Sequence, residues 1–335
     1  MKMIQFSRLT RAMLLASTAL AAPHLTYANV NLPLPTGQYV TPTAPAGAVQ
    51  QQLNPGLAAY PNFVAGEAVR SRLSPDGTTL AIICAGQNTL YTPAGVLDTA
   101  NSTQYIFLYN VAGTNRTKPV LTQVIHQANA HVGLVWAPDG NTLYAAGGND
   151  DAVYAYTKSG GTWTQSAKIA LGHGATHANQ GVGLGVQPNA GVLGISPDGN
   201  TLVAANNYND SICVIDTATG TVRYEHDLRP WFANNEATNG VPGGTYPFAV
   251  VLKDNGTAYV SANRDREVVV VDISSPTAGH LIKRIKLDGN PLGTTLNAAR
   301  TTLYVAQDNA DEVAVIDTAT NASSPTSTPT LRPRC

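Results

Sequence analysis

The chain has 335 residues, 43% of them hydrophobic, so it is long enough to bury a sizeable core and too apolar to be disordered as a whole. Its 20 basic and 21 acidic residues leave a net charge of -1, which provides no overall field for nucleic acid or an anionic membrane. Only 12% of residues are charged, while Gly, Thr, Asn and Ala abound, a composition that suits short strands joined by turns and makes helix a poor expectation.

In chain order, Lys2, Arg8 and Arg11 precede the apolar run Ala12 to Ala22, and two small-residue cleavage patterns follow, Ala19-Leu20-Ala21 and Thr26-Tyr27-Ala28. Residues 1–28 therefore read as a secretory signal peptide, the run being shorter than the roughly 20 apolar residues that cross a bilayer. No later segment is long enough for a membrane span. The mature protein is expected to be periplasmic or secreted, with residues 29–65 as an extension ahead of the first repeat. Export permits disulfides, yet Cys84, Cys213 and Cys335 make no framework. Cys84 and Cys213 sit in apolar strand patterns and read as small core residues, and Cys335 is terminal.

From residue 66 to 320 one unit recurs five times: a turn, an apolar strand, a polar loop, a second apolar strand and another turn. The leading turns are Ser74-Pro75-Asp76-Gly77, Ala137-Pro138-Asp139-Gly140, Ser196-Pro197-Asp198-Gly199, Lys253-Asp254-Asn255-Gly256 and the degenerate Asn297-Ala298-Ala299-Arg300. Pro presets φ, Asp bonds back into the turn and Gly accepts positive φ, so each turn reads as a tight connection between antiparallel strands. The strand after each turn covers Leu80 to Cys84, Leu143 to Ala146, Leu202 to Ala205, Ala258 to Ala262 and Leu303 to Ala306. The next covers Tyr105 to Tyr109, Ala152 to Tyr156, Ser211 to Ile215, Glu267 to Val271 and Glu312 to Ile316.

A first strand such as Val132 to Trp136 precedes each turn, and an outer fourth strand such as Val222 to Leu228 completes the unit. Asp216, Asp272 and Asp317 recur at one place and read as turn residues, because a catalytic group is needed once and not once per unit. Four-stranded units of about 40 residues cannot bury both faces alone, so they must stack around an axis as blades of an all-β propeller, with a β-sandwich as the rival.

The stretches Leu-Val-Ala-Ala-Asn (202–206) with Val-Ile-Asp-Thr-Ala-Thr-Gly (214–220), and Leu-Tyr-Val-Ala (303–306) with Val-Ala-Val-Ile-Asp-Thr-Ala-Thr (313–320), resemble the YVTN-repeat β-propeller family, including its YncE-like members. The resemblance covers roughly residues 66–320 and implies a fold more than an activity. It also implies seven blades, whereas five units are visible and the fifth stops after its third strand in a Ser/Pro/Thr-rich tail, residues 321–335, read as disordered. Either residues 37–43 supply the missing outer strand and close a small ring, or, the favoured explanation, the chain is a truncated piece of a longer protein. The opening Leu-Pro-Thr-Gly-Gln-Tyr-Val-Thr-Pro-Thr also resembles that of exported proteins in which such a propeller precedes an alkaline-phosphatase-type phosphoesterase domain.

Insertions at 85–104, 172–190 and 230–246 fall on the side where second-to-third-strand loops and inter-unit connections emerge, so that face is the expected working face. His126 and His131 are assigned to the connection into the second unit, and His173 and His177 to the connection into the third. Asn179, Asn207, Glu236 and nearby aspartates could add oxygen ligands or orient the rings, and a divalent metal is the cofactor such a set could hold. The spacings His-x4-His and His-x3-His match no zinc signature, however, and capping of loop backbone is the commoner role. Trp231 and Tyr246, with Phe232, could stack on a ligand or seal the channel mouth, and Arg264 belongs to a local charge cluster.

No Gly-x-Ser-x-Gly elbow, Gly-rich phosphate loop or His-Glu-x-x-His element occurs, which weighs against an enzyme. The expected function is an exported binding module that takes a small molecule or a protein partner on the loop face. The alternatives are a lactonase-type hydrolase with His131 or His177 as base, and the accessory propeller of a phosphoesterase.

Overall fold

The computed structural model describes residues 32–33, 39–40, 49–173, 189–230 and 243–324. It divides into two compact units, Met1–Val49 and Gln50–Cys335. In the first, β1 (Leu32–Pro33) pairs antiparallel with β2 (Tyr39–Val40). The signal-peptide reading of residues 1–28 falls outside the described residues.

The second unit holds five four-stranded antiparallel sheets, each a meander in chain order. Sheet one comprises β3 (Ala68–Leu73), β4 (Thr79–Cys84), β5 (Gln104–Asn110) and β6 (Val120–Gln127). Sheet two comprises β7 (Leu134–Trp136), β8 (Thr142–Ala146), β9 (Ala152–Ser159) and β10 (Thr162–Ala170). Sheet three comprises β11 (Ala190–Ile195), β12 (Thr201–Asn206), β13 (Ser211–Asp216) and β14 (Thr221–Asp227). Sheet four comprises β15 (Pro247–Leu252), β16 (Thr257–Ala262), β17 (Glu267–Asp272) and β18 (His280–Lys286). Sheet five comprises β19 (Asn290–Leu296), β20 (Thr302–Asp308), β21 (Glu312–Asp317) and β22 (Ala322–Ser323). Among the described residues there is no α-helix, only a 3-10 turn at Gly113–Arg116, and no helix is long and apolar enough to cross a membrane.

The fifth sheet corrects one expectation. The chain does not stop after the third strand of that unit: Asp317 Oδ1 accepts from the Ala319 and Thr320 backbone N–H groups (3.0 and 2.8 Å), reversing the chain so that Ala322 pairs with Asp317. The first residues of the supposed tail are therefore strand. Of residues 37–43, expected as a possible outer strand, only Tyr39 and Val40 fall within the described residues.

The leading turns form as their residues dictate. Asp76, Asp139 and Asp198 each accept through Oδ1 from the N–H two residues on (3.0, 2.9 and 3.0 Å), and Gly77, Gly140 and Gly199 take φ between 71° and 78°. In the fifth turn Asn297 Oδ1 caps Thr301 N (2.8 Å), and Arg300 occupies the glycine position with φ 56°.

The second and third strands of sheets two to four are buried on both faces, and their alternation assigns each side chain to a neighbour. In sheet three, Leu202, Ala204, Cys213 and Ile215 pack with Tyr144, Val153 and Ile169 of sheet two. The intervening Val203, Ala205, Ile212 and Val214 pack with Val250, Val260 and Val269 of sheet four. Like layers join sheets one and two, around Ile83, Leu108, Leu143 and Trp163, and sheets four and five, around Tyr259, Val268, Leu303 and Ile316. The outer face of sheet one is covered by Leu53, Phe63 and Ala65 lying on Tyr105 and Phe107. Sheet five differs: Leu303, Val305, Ala314 and Ile316 are buried, but Tyr304 and Val313 on the other face are 38% and 39% exposed.

Polar ties also fasten successive sheets. Asn207, buried in the β12–β13 loop, donates through Nδ2 to Pro247 O at the start of sheet four. Gly191, at a bulge in β11, leaves room for that side chain; an added Cβ would overlap the Asn207 amide. Gly191→Ala is expected to cost about 2 kcal/mol of stability by displacing it, read as a lower denaturant midpoint at an unchanged slope.

Candidate functional site

The first strands of the five sheets meet in sequence: β3 packs on β7, β7 on β11, β11 on β15 and β15 on β19. All five line one cavity of about 580 Å³, whose wall includes Arg72, Val135, Leu193, Val250, Thr294 and the turn residue Arg300. Among the described residues its lining contains no acidic side chain. Arg72 Nη1 donates to Ser71 O (3.2 Å) and Arg300 Nη1 to Leu252 O (2.7 Å), and among the described residues neither guanidinium forms an ion pair. Arg300 reaches the wall because the degenerate turn places a non-glycine residue in the left-handed region, a conformation that costs on the order of 1 kcal/mol.

Arg70 precedes Arg72 by two residues on β3, on the same side of that strand. Its Nε donates to Val132 O (2.7 Å), and burial first, then the Arg72 charge, lower its pKa to about 10. Next to Val132, His131 is partly buried, with Nδ1 3.3 Å from Gly191 O. Burial, with a smaller push from Arg70, lowers the His131 pKa below the usual imidazole value and favours the neutral ring. One end of this region thus carries uncompensated cations, and a neutral base lies beside Arg70.

The other expected site residues do not gather. His126 lies on β6 rather than in a connection; it is exposed, with Nδ1 3.4 Å from Thr103 Oγ1 and its ring edge-on to Tyr105. His173 is buried, its Nδ1 2.8 Å from Asp151 Oδ1 and its Nε2 3.0 Å from Glu225 Oε1, while its backbone N–H donates to Asp151 Oδ2 (2.7 Å). Burial works against a charged ring there, but the hydrogen bonds and charges of Asp151 and Glu225 outweigh it and raise the pKa to about 9. Asn207 is a structural tie. Tyr246, at φ 58°, lies between the rings of Tyr208 and Phe248 (centroids 6.1 and 6.5 Å), with the Arg264 guanidinium 5.0 Å over its face. His177, Asn179, Trp231 and Glu236 lie outside the described residues. Of the inserted-loop candidates that are described, neither His173 nor Tyr246 lines the 580 Å³ cavity, which is walled by first strands and a short turn.

Sequence reading missed Arg72, Arg300 and the buried ion pairs of sheets three and four. The signal for Arg300 was the degeneracy of its turn: Arg stands where the four sister turns have Gly. Asp227 and Arg229 pair at 2.8 Å, and Glu267 Oε1 receives Arg284 Nη1 (2.8 Å) and Gly244 N (2.9 Å). Arg284 Nη2 also donates to Leu228 O (2.6 Å), so the pair fastens the connection between the two sheets. Glu267 is fully buried and its Oε2 has no hydrogen-bond partner; burial pushes its pKa up to about 7 despite Arg284.

No protein-family model matches the sequence, and no curated protein matches it. The chain is similar to a solved structure described as a functionally unknown protein from Desulfotomaculum acetoxidans DSM 771, with a TM-score of 0.52 and 13% identity over 78% of this chain and 70% of that one. At that identity the likeness bears on fold alone.

Glu267 sets a pH dependence. The folded state holds its proton more tightly than the unfolded chain, where Glu titrates near 4.3, so stability falls as pH rises from about 4.5 through about 7. Glu267→Gln is expected to flatten that decline, on the order of 2 kcal/mol, in chemical denaturation followed from pH 4 to 8.

Proposed function

We propose that the chain is an exported β-propeller-type binding module of YVTN-repeat, YncE-like character, and that it takes a small organic carboxylate in the cavity formed by the first strands of its five sheets. The observation that carries this reading is the pair of guanidiniums, Arg72 and Arg300, in a 580 Å³ cavity with no acidic side chain among the described residues of its lining. A volume in the range of roughly 300–1,000 Å³ suits a metabolite-sized ligand. Apolar walls from Leu193, Ile195, Val250 and Leu252 would exclude water, while Thr294, Thr295 and Asn297 offer neutral hydrogen-bonding groups. Guanidiniums recognise carboxylates in a fixed planar geometry, and a bound anion would relieve the repulsion that Arg72 exerts on Arg70. Recurrence of the meander and convergence of all five first strands on one cavity support the propeller reading. Its localisation, periplasmic or secreted, rests on the leader-like residues 1–28.

A lactonase-type hydrolase is the second reading, favoured by His131. A neutral imidazole beside Arg70 places a general base next to a cation that could stabilise an oxyanion.

Calorimetric titration of the full chain with mono-, di- and tricarboxylates is expected to show binding that weakens with salt and falls at least tenfold in Arg72→Ala. Arg300→Gly should lose affinity while keeping or gaining thermal stability, because glycine adopts φ 56° without strain. Equal affinity for neutral sugars, or carboxylate binding unchanged in both variants, would refute the carboxylate reading. Lactone hydrolysis abolished by His131→Ala would establish the second reading.

A further inference from the structure

Away from the cavity, a second set of groups converges on His173. Glu225 on β14 and Cys213 on β13 are directly opposite partners in the antiparallel ladder, so their side chains leave the same face of sheet three. Both belong to the sheet, while His173 lies three residues beyond the end of β10. A ring nitrogen of His173, the Cys213 sulfur and a Glu225 oxygen all lie within 4.8 Å of one another. His173 is 1% exposed and Cys213 fully buried. Asn206 Nδ2 stands 3.3 Å from Cys213 Sγ and 3.4 Å from Glu225 Oε1, and Ser211 Oγ donates to that same oxygen.

Two features match a metal centre rather than an incidental polar cluster. An imidazole, a thiolate and a carboxylate form a zinc donor set, and bonds of about 2.0–2.3 Å to one ion bring such atoms to roughly 3.2–3.8 Å from each other, an adjustment well within side-chain reach. The other ring nitrogen, Nδ1, is already held by Asp151, the carboxylate–histidine arrangement that fixes the tautomer and orientation of a metal-bound imidazole.

We propose that His173 Nε2, Cys213 Sγ and Glu225 Oε1 bind one Zn(II) ion, with Ser211 Oγ, hydrogen-bonded to Glu225 Oε1, beside the fourth position. The thiolate and imidazole select zinc over calcium or magnesium. The ion would fasten the connection between sheets two and three to the edge of sheet three, a structural role independent of ligand binding in the cavity.

The test is titration of chelator-treated full chain with Co(II), which reports a cysteine ligand by a thiolate-to-metal charge-transfer band in the near ultraviolet. One equivalent should bind, and Zn(II) should displace it. The band should vanish in Cys213→Ala and persist in Cys84→Ala, which removes the other buried thiol. Glu225→Gln, which preserves shape, should weaken Co(II) binding at least tenfold. Folded wild-type protein that binds neither ion stoichiometrically, a band that survives in Cys213→Ala, or an affinity unmoved by Glu225→Gln would overturn the proposal.

Discussion

Everything in the larger unit depends on sheets that are apolar on both faces. A strand with side chains alternating at a period of two sends half of them to each side, and when both halves are Val, Ile, Leu and Ala neither face can be left to water. Leu202, Cys213 and Ile215 need one neighbour, and Val203, Ile212 and Val214 need another. At about 1.5–3 kcal/mol for each large side chain fully buried, successive sheets are bound by face-to-face layers rather than by any single contact. Polar groups then work at the margins, closing loops and setting the spacing between sheets that the layers already demand.

The loops repeat a device as regular as the strands. Just before the third strand of sheets two, three and four, Asp151, Asp210 and Arg266 adopt φ between 49° and 56°, and their carbonyls accept from Leu171, Leu228 and Leu287 just after the fourth strand. Each sheet thereby ties its own exit to its inner hairpin, and buried backbone donors find partners. The same positions supply carboxylates for local duties: Asp151 to His173, and Asp210 to the Tyr246 backbone N–H at 2.8 Å. Among the described residues, Asp151 and Asp210 on the inserted-loop side are consumed in this way.

Departures from the repeat mark the places where chemistry could sit. Arg300 stands in the place of a turn glycine and takes up a left-handed backbone that glycine would hold without cost. Glu225 is a carboxylate on an outer strand, facing a thiol in an otherwise apolar layer. Glu267 is a buried carboxyl with one unpaired oxygen at the head of a third strand. Sheet five departs in another way, since Tyr304 and Val313 leave one of its faces partly open where the sheets before it are covered on both sides.

The sequence alone determined the strands, the turns, the fivefold recurrence and the burial of Cys84 and Cys213, because these follow from short-range rules: Pro-Asp-Gly stereochemistry, side-chain alternation and the apolarity of both strand faces. It could not place Ala322–Ser323 as a strand, since two polar and small residues carry no pattern and pair only because Asp317 turns the chain back onto β21. Nor could it bring Arg72 and Arg300 together across more than 200 residues, or set His173 against Glu225. Those proximities are decided by which sheet stacks on which and in what register, information that no local stretch of residues contains. His126 and His131, close in sequence, face Thr103 and Gly191 respectively, while residues far apart met where first strands converge. Local chemistry specifies the elements; the stacking of whole sheets specifies the sites.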